Sequence, residues 1–345
     1  PWEETNWENT RIILPDNAPR LWQDLFQEAP RHYESFIPVE EVFAPRPIFF
    51  LHGTCPESER GSGILLPVFS LPSEYGVGDL GEAAYQFADF LWHSKQKYWQ
   101  VLPLNPTLKE KAYSPYSATS GFAGNTLLLS PDLLLAAGLL DEADLASLRV
   151  AESPKIDYEA VEIAKNRLFD KVYANFLQQN NRRLEEEYLI FIRQEAYWLE
   201  DYALYVVLKR HHHEKPWYEW SPAYRDRQEE ALVTFRQAHG EALAREKILQ
   251  FIFYRQWADL KAYCREREIR IFGDLPIYVN YDSADVWANP QYFSLNEEKQ
   301  LTSVAGVPPD YFNENGQRWG MPLYRWDVLK RKSVRLVGGP YPQEF

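Results

Sequence analysis

From residue 61 onward the chain alternates short apolar runs with amphipathic stretches, which restricts it to folds in which strands and helices take turns. ILLPVF, residues 64–69, reads as a first strand. A helix is predicted over about 81–93, where Tyr85, Phe87, Ala88 and Leu91 fall at helical spacing, and YWQVLPL, residues 98–104, reads as a second strand. From about 139 to 257 the sequence is charged and helical, most clearly in DEADLASLRV and over 157–208, so an inserted helical subdomain is predicted. IRIFGDLPIYV, residues 269–279, returns to strand character and carries Asp274. The class is α/β. A length of 345 residues with 45% hydrophobic positions suffices for two domains, or for one large barrel with a subdomain.

Residues 1–58 differ, being rich in Trp, Pro and Glu, and SFIPVEEVFAPRPIFFLHG reads as short strands with a proline-marked edge. The balance of 37 basic against 50 acidic residues leaves a net charge of −13, which repels phosphate backbones and argues against nucleic acid or an anionic membrane. Cys55 and Cys264 are too few for a disulfide framework, so a reducing, cytoplasmic setting is expected. The apolar run near 127–140 is broken by Ser130, Pro131 and Asp132, and no membrane span is predicted. The first residue is Pro1 and no basic-then-apolar leader follows, so the chain reads as cut at its start with no export signal in view.

The segment VAGVPPDYFNENGQRWGMPLYRW, residues 304–326, reads as an irregular loop stiffened by Pro308 and Pro309. Tyr311, Phe312 and Trp319 offer flat apolar faces suited to the C–H faces of a pyranose, while Asp310, Asn313 and Gln317 can bond hydroxyls. The alternative is that these rings plug the edge of a core. His211, His212 and His213 invite a metal reading, but three adjacent helical residues point about 100° apart, so a solvated helix end is expected and no metal site. Gly76 and Gly78 in YGVGDLG lack the third glycine of a nucleotide fingerprint and read as turn glycines.

GDLPIYVNYDSADVWANPQYF followed by VAGVPPDYFNENGQRWG resembles the amylomaltase family of 4-α-glucanotransferases, and so, in the same order, do GSGILLPVFSLPSEYGVGDLGEAAYQFADFLW, YWQVLPLNP and SPYSATSGFAGN. The resemblance runs from about residue 60 to 330. It implies an incomplete (β/α)8 TIM-type barrel with an inserted helical subdomain, preceded by a short β-rich segment, and transfer of α-1,4-glucan segments between malto-oligosaccharides. Such retaining transfer needs a carboxylate nucleophile and a second carboxyl about 5–5.5 Å away, and no cofactor. The family takes its nucleophile from an Arg-x-Asp strand beyond the residues matched here.

Within the match, the resemblance makes Asp274 a supporting carboxylate at a strand end, although a plain turn-capping acid is the simpler reading of such a residue. Tyr116 becomes the ring that stacks on sugar at the cleavage point, with Ser114 and Asn125 as loop neighbours, against the simpler reading of a packing ring. Tyr311, Phe312, Gln317 and Trp319 become the loop over bound glucan, where acceptor sugar displaces water. KPWYEWSP, with Trp217 and Trp220, is similar to a subdomain loop that adds a distant glucan contact.

After LYRWDVLK the chain departs from the family, and RKSVRLVGGPYPQEF reads as an aberrant tail, as if a frameshift lay near Lys330. A barrel ending there is expected to expose strand edges and to be unstable or sticky. Residues 1–58 loosely resemble the β-domain that closes α-amylase-type enzymes. Two rivals stand beside transfer: an α-amylase-type hydrolase and a non-catalytic glucan-binding fragment.

Overall fold

The computed structural model describes residues 10–14, 18–19, 21–24, 31–39, 51–54, 61–150, 153, 155–179, 181–274, 278–311 and 313–332. Phe312, Cys55 and the tail beyond residue 332 lie outside the described residues. The chain divides into two compact units, Pro1–Gly61 and Ser62–Phe345.

In the first unit, β1 (Arg11–Ile13), β2 (Leu21–Asp24), β3 (Arg31–His32), β4 (Phe36–Pro38) and β5 (Leu51–Thr54) form two antiparallel sheets. One pairs β1 with β4, and the other places β2 between β3 and β5. A small core of Leu14, Tyr33 and Ile37 takes Ala18 and Trp22 against it.

In the second unit β6 (Gly63–Leu65) leads to α1 (Glu82–His93) and β7 (Tyr98–Gln100), which pairs with β6 in parallel. β8 (Arg270–Phe272) then pairs in parallel on the other side of β7, aligning Ile64, Trp99 and Ile271 across the sheet. Trp99 is fully buried at the centre and its indole N–H donates to Leu66 O at 2.8 Å. The first strand is shorter than its apolar run because Pro67 has no N–H to continue the ladder, and residues 68–70 turn as a 3-10 helix instead. In α1 the buried positions Ala84, Ala88 and Leu91 recur at four and three residues, the spacing of a face laid on a sheet.

Between β7 and β8 the chain is helical: α2 (Pro131–Ala136), α3 (Glu142–Leu148), α4 (Tyr158–Gln178), α5 (Arg182–Gln194), α6 (Ala196–His211), α7 (Pro222–Arg225), α8 (Glu229–Ala238) and α9 (Gly240–Glu266). Asp141 and Asp144 close a capping box at the start of α3. The helical stretch starts earlier than the predicted 139 and runs past 257, because α9 is one unbroken 27-residue helix. It packs on α1 and β8 at one end and on α4, α5 and α6 elsewhere, so it is buried on several sides and has no single apolar stripe to mark its end.

Two cores result. One lies around Trp99 and α9; the other gathers Trp198, Tyr205, Trp217, Trp220 and Trp287. After β8 come α10 (Ala284–Ala288), β9 (Val304–Val307), β10 (Gln317–Pro322) and α11 (Trp326–Lys332). The 304–326 segment is thus not irregular as predicted. β9 and β10 form an antiparallel hairpin, and Gly316, at φ +68°, takes the left-handed turn position that its sequence neighbours would resist. Among the described residues no helix is long and apolar enough to cross a membrane.

Candidate active site

Asp274 stands two residues past the end of β8 and is exposed. The hydroxyl of Tyr116 donates to its Oδ2 at 2.8 Å, across 158 residues of sequence. That bond, reinforced by partial burial and by the carboxylate charge, raises the Tyr116 pKa above the usual phenol value. The ring remains 45% exposed, which leaves a face open beside the carboxylate. Ser114 Oγ accepts from Tyr116 N at 3.4 Å, and Ser114 O accepts from Ser117 N at 3.1 Å, so the serine shapes the turn that presents the ring.

This turn belongs to no regular element, so side chains and neighbouring loops satisfy its backbone. Thr119 N donates to Pro106 O at 3.0 Å, and Ala284 N donates to Thr119 O at 2.8 Å. Gly121 N donates to Asp285 Oδ2 at 3.0 Å, and Tyr254 on α9 donates its hydroxyl to Phe122 O. Gln250 matches Gly124 like a second peptide, accepting from its N at 2.8 Å and donating to its O at 2.9 Å. Asn125, further along the same segment, is buried, and its side chain caps the following turn through Leu127 N at 3.0 Å.

The hairpin supplies the other rings. Trp319 is 42% exposed, its indole N–H donates to Gln317 Oε1 at 3.1 Å, and its ring meets the Tyr278 edge at 6.1 Å. Tyr311, at the tip, is 97% exposed. Tyr278 follows Asp274 by four residues and stacks on Tyr324 at 6.4 Å, so one aromatic row joins the strand-end segment to the hairpin. Sequence reasoning passed over Tyr278, Tyr324 and Asp285. The available signal was that Tyr278 and Asp285 lie inside the same motif as Asp274.

Trp217 and Trp220 are core residues rather than glucan contacts: they are 0% and 3% exposed, and their indoles donate to Tyr281 O and Lys215 O. Both rings bury better than they would stack because the second core closes over them. His211 ends α6, His212 stacks on Trp220 at 5.2 Å, and His213 leaves the helix at φ +55°. Among the described residues no group of His, Cys, Asp and Glu could hold a metal ion. Gly76 sits at φ +81° in a turn, and a Cβ on Gly78 would meet Val68 O at 2.2 Å.

The second unit thus has a parallel α/β sheet with a carboxylate past one strand's carboxyl end, bonded by a tyrosine hydroxyl and neighboured by an aromatic row, and in α/β folds that end is where ligand sites commonly lie. The chain belongs to the 4-alpha-glucanotransferase family, whose model matches residues 66–335. It is 45% identical over 278 residues to a 4-alpha-glucanotransferase of Aquifex aeolicus, covering 80% of this chain and 55% of that one. With the enzyme of that name from Thermus thermophilus it shares 44% over 276 residues, 80% and 54% of the two chains. Among solved structures, amylomaltase from Streptococcus agalactiae in complex with acarbose matches with a TM-score of 0.75 at 38% identity, covering 79% of this chain and 55% of that one. The chain spans about half the length of the curated relatives it matches.

Proposed function

We propose that the second unit forms the acceptor-facing part of a 4-α-glucanotransferase site: an α-1,4 bond of a malto-oligosaccharide is broken, the glycosyl group is held covalently, and another glucan's 4-hydroxyl receives it. The observation that carries the reading is the Tyr116–Asp274 pair at the end of β8. An exposed ring hydrogen-bonded to an exposed carboxylate offers one sugar both an apolar face and a hydroxyl acceptor. Ser114, Tyr311, Phe312, Gln317 and Trp319 complete the proposed substrate contacts. Asp274 acts as the supporting carboxylate, and neither a metal nor a cofactor enters.

The same reading makes β6, β7 and β8 the first three strands of a (β/α)8 barrel, with the helices between β7 and β8 as its insertion. Their parallel order supports this, as does the placing of Asp274 at a strand's carboxyl end. Residues 1–58 form a separate β-rich segment and 59–330 the glucanotransferase part, while the family match runs on to 335 and so leaves only 336–345 as a foreign tail. A cytoplasmic protein acting on neutral glucans, with no nucleic-acid or membrane partner, fits the −13 charge.

Incubation with maltotriose tests transfer: the nucleophile and acid/base lie on strands beyond the residues matched here, so glucose and products longer than maltotriose are expected only where those strands are supplied, and these 345 residues alone are expected to bind without turnover. Shorter sugars alone would then select the hydrolase. Binding without turnover even with those strands supplied would select the non-catalytic fragment. Trp319→Ala is expected to weaken maltoheptaose binding about tenfold, as losing one stacking ring costs roughly 1 kcal/mol, and to leave the melting temperature within about 2 °C because the ring is half exposed. Calorimetric titration and a thermal melt read both, and unchanged affinity would remove Trp319 from the site.

A further inference from the structure

Asp285 is a carboxylate that the proposed chemistry does not use, lying in α10 between the fully buried Val286 and Trp287 and the nearly buried Ala284. Its Oδ2 accepts from Gly121 N at 3.0 Å, with the Ser120 hydroxyl and its own amide beside it, and among the described residues it makes no ion pair. Burial pushes its pKa up to about 6, against those three donors. The charged groups around it are already engaged. Lys209 on α6 pairs with Asp282 at 2.6 Å, where Tyr205 also donates at 2.7 Å, and Arg227 pairs with Asp201 at 2.5 Å while lying over the Trp287 ring. Tyr324 faces it with a hydroxyl whose pKa is raised, first by burial and then by Asp285 itself.

A half-buried carboxylate with no cation among buried neighbours is desolvated at a cost, so its presence calls for something it holds. What it holds is the turn that carries Tyr116. The adjoining Ala284 N–H fixes Thr119 O, the Asp285 carboxylate fixes Gly121 N, and Ser120 Oγ beside it accepts from Phe122 N at 3.1 Å and Ala123 N at 3.2 Å. Tyr116 stands three residues before the first of these anchors, with the buried Ala118 between.

We propose that Asp285 is a positioning residue: its carboxylate fixes segment 119–123 and thereby places the Tyr116 hydroxyl on Asp274. This rests on the reading of Tyr116 as a sugar contact. Asp285→Asn keeps the size and one acceptor oxygen but removes the charge that strengthens the bond from Gly121 N, and turns the other oxygen into a donor.

Maltoheptaose affinity of the full chain is measured in wild type, D285N, Y116A and the double variant. D285N is expected to weaken binding about tenfold alone and less than about twofold in the Y116A background, since two residues acting through one contact are not additive. An equal factor in both backgrounds overturns the proposal, because a merely structural role would not depend on Tyr116. Hydrogen exchange without sugar separates this from the functional reading. D285N should speed exchange across 114–121 and leave 98–101 unchanged, and an unchanged loop overturns the positioning role whether or not maltoheptaose binds. If wild type shows no binding while the loop responds, the glucan reading fails and the positioning role stands. Should D285N not fold, D285E, which keeps the charge and moves the acceptor, is read in the same two assays with the same outcomes.

Discussion

Gly124→Ala is expected to lower the stability of the second unit by about 3 kcal/mol or more, the upper end of what overpacking a core costs. A Cβ on Gly124 would fall 2.0 Å from Cδ1 and 2.1 Å from Cε1 of Phe253, and Phe253 is itself only 3% exposed on α9. The ring has nowhere to retreat, since Tyr254 beside it bonds Phe122 O and Gln250 bonds both backbone groups of Gly124. Pushing the chain away from α9 would break those bonds and leave buried donors and acceptors unmade, at about 1–3 kcal/mol each. A fall in melting temperature of roughly 6–12 °C should follow for a unit of this size, with loosening of the Tyr116 turn in hydrogen exchange. A melt within about 2 °C of wild type would mean that the contact between glycine and ring is not as close as it stands here.

The same pairings show where sequence was readable and where it was not. The α/β class, the α1 helix and the strand that leads to Asp274 follow from periods of 2 and 3.6, and local chemistry writes those periods into the chain. The Tyr116–Asp274 contact joins residues 158 apart. Only the resemblance brought them together, since no local pattern encodes such a pairing. The hairpin was missed because tandem prolines and glycines mark a turn without fixing its length, and the ladder between Val304–Val307 and Gln317–Pro322 depends on cross-strand pairing.

Trp217 and Trp220 were misread for a related reason: a tryptophan in a loop looks like a platform until the surrounding core is known. The buried polar clamps were the least visible. Gln250 shares a helical face with Phe253, Tyr254 and Trp257 at i, i+3, i+4 and i+7. A polar residue within an apolar stripe was the one sign that it reaches for a backbone.

Lys165→Met is expected to cost about 3 kcal/mol at pH 7.5 and more at higher pH, because removing one partner of a buried polar set strands the others. Lys165 is 2% exposed, and its Nζ donates to Leu127 O at 2.7 Å and Leu129 O at 3.0 Å, the carbonyls flanking the turn after Asn125. Its pKa is pushed down to about 8 by burial, partly offset by Asp79 and Asp132. Asp79 moves the other way, raised by burial, while it accepts Gly81 N at 2.8 Å at the start of α1. Below pH 8 lysine is charged in both states, and the fold bears the cost of keeping that charge out of water. As pH rises from 8 toward 10.5 the folded state sheds the proton while the unfolded chain still holds it, so wild-type stability rises through that window. Between pH 8 and 9.5 the gain should reach about 2 kcal/mol at 1.36 kcal/mol per pH unit, and the methionine variant should show none. The tyrosines and the buried Cys264 titrate identically in both proteins, so the difference between their urea midpoints at pH 7.5, 8.5 and 9.5 isolates Lys165. A difference that stays constant across those three values would show that this lysine is not held in the folded core.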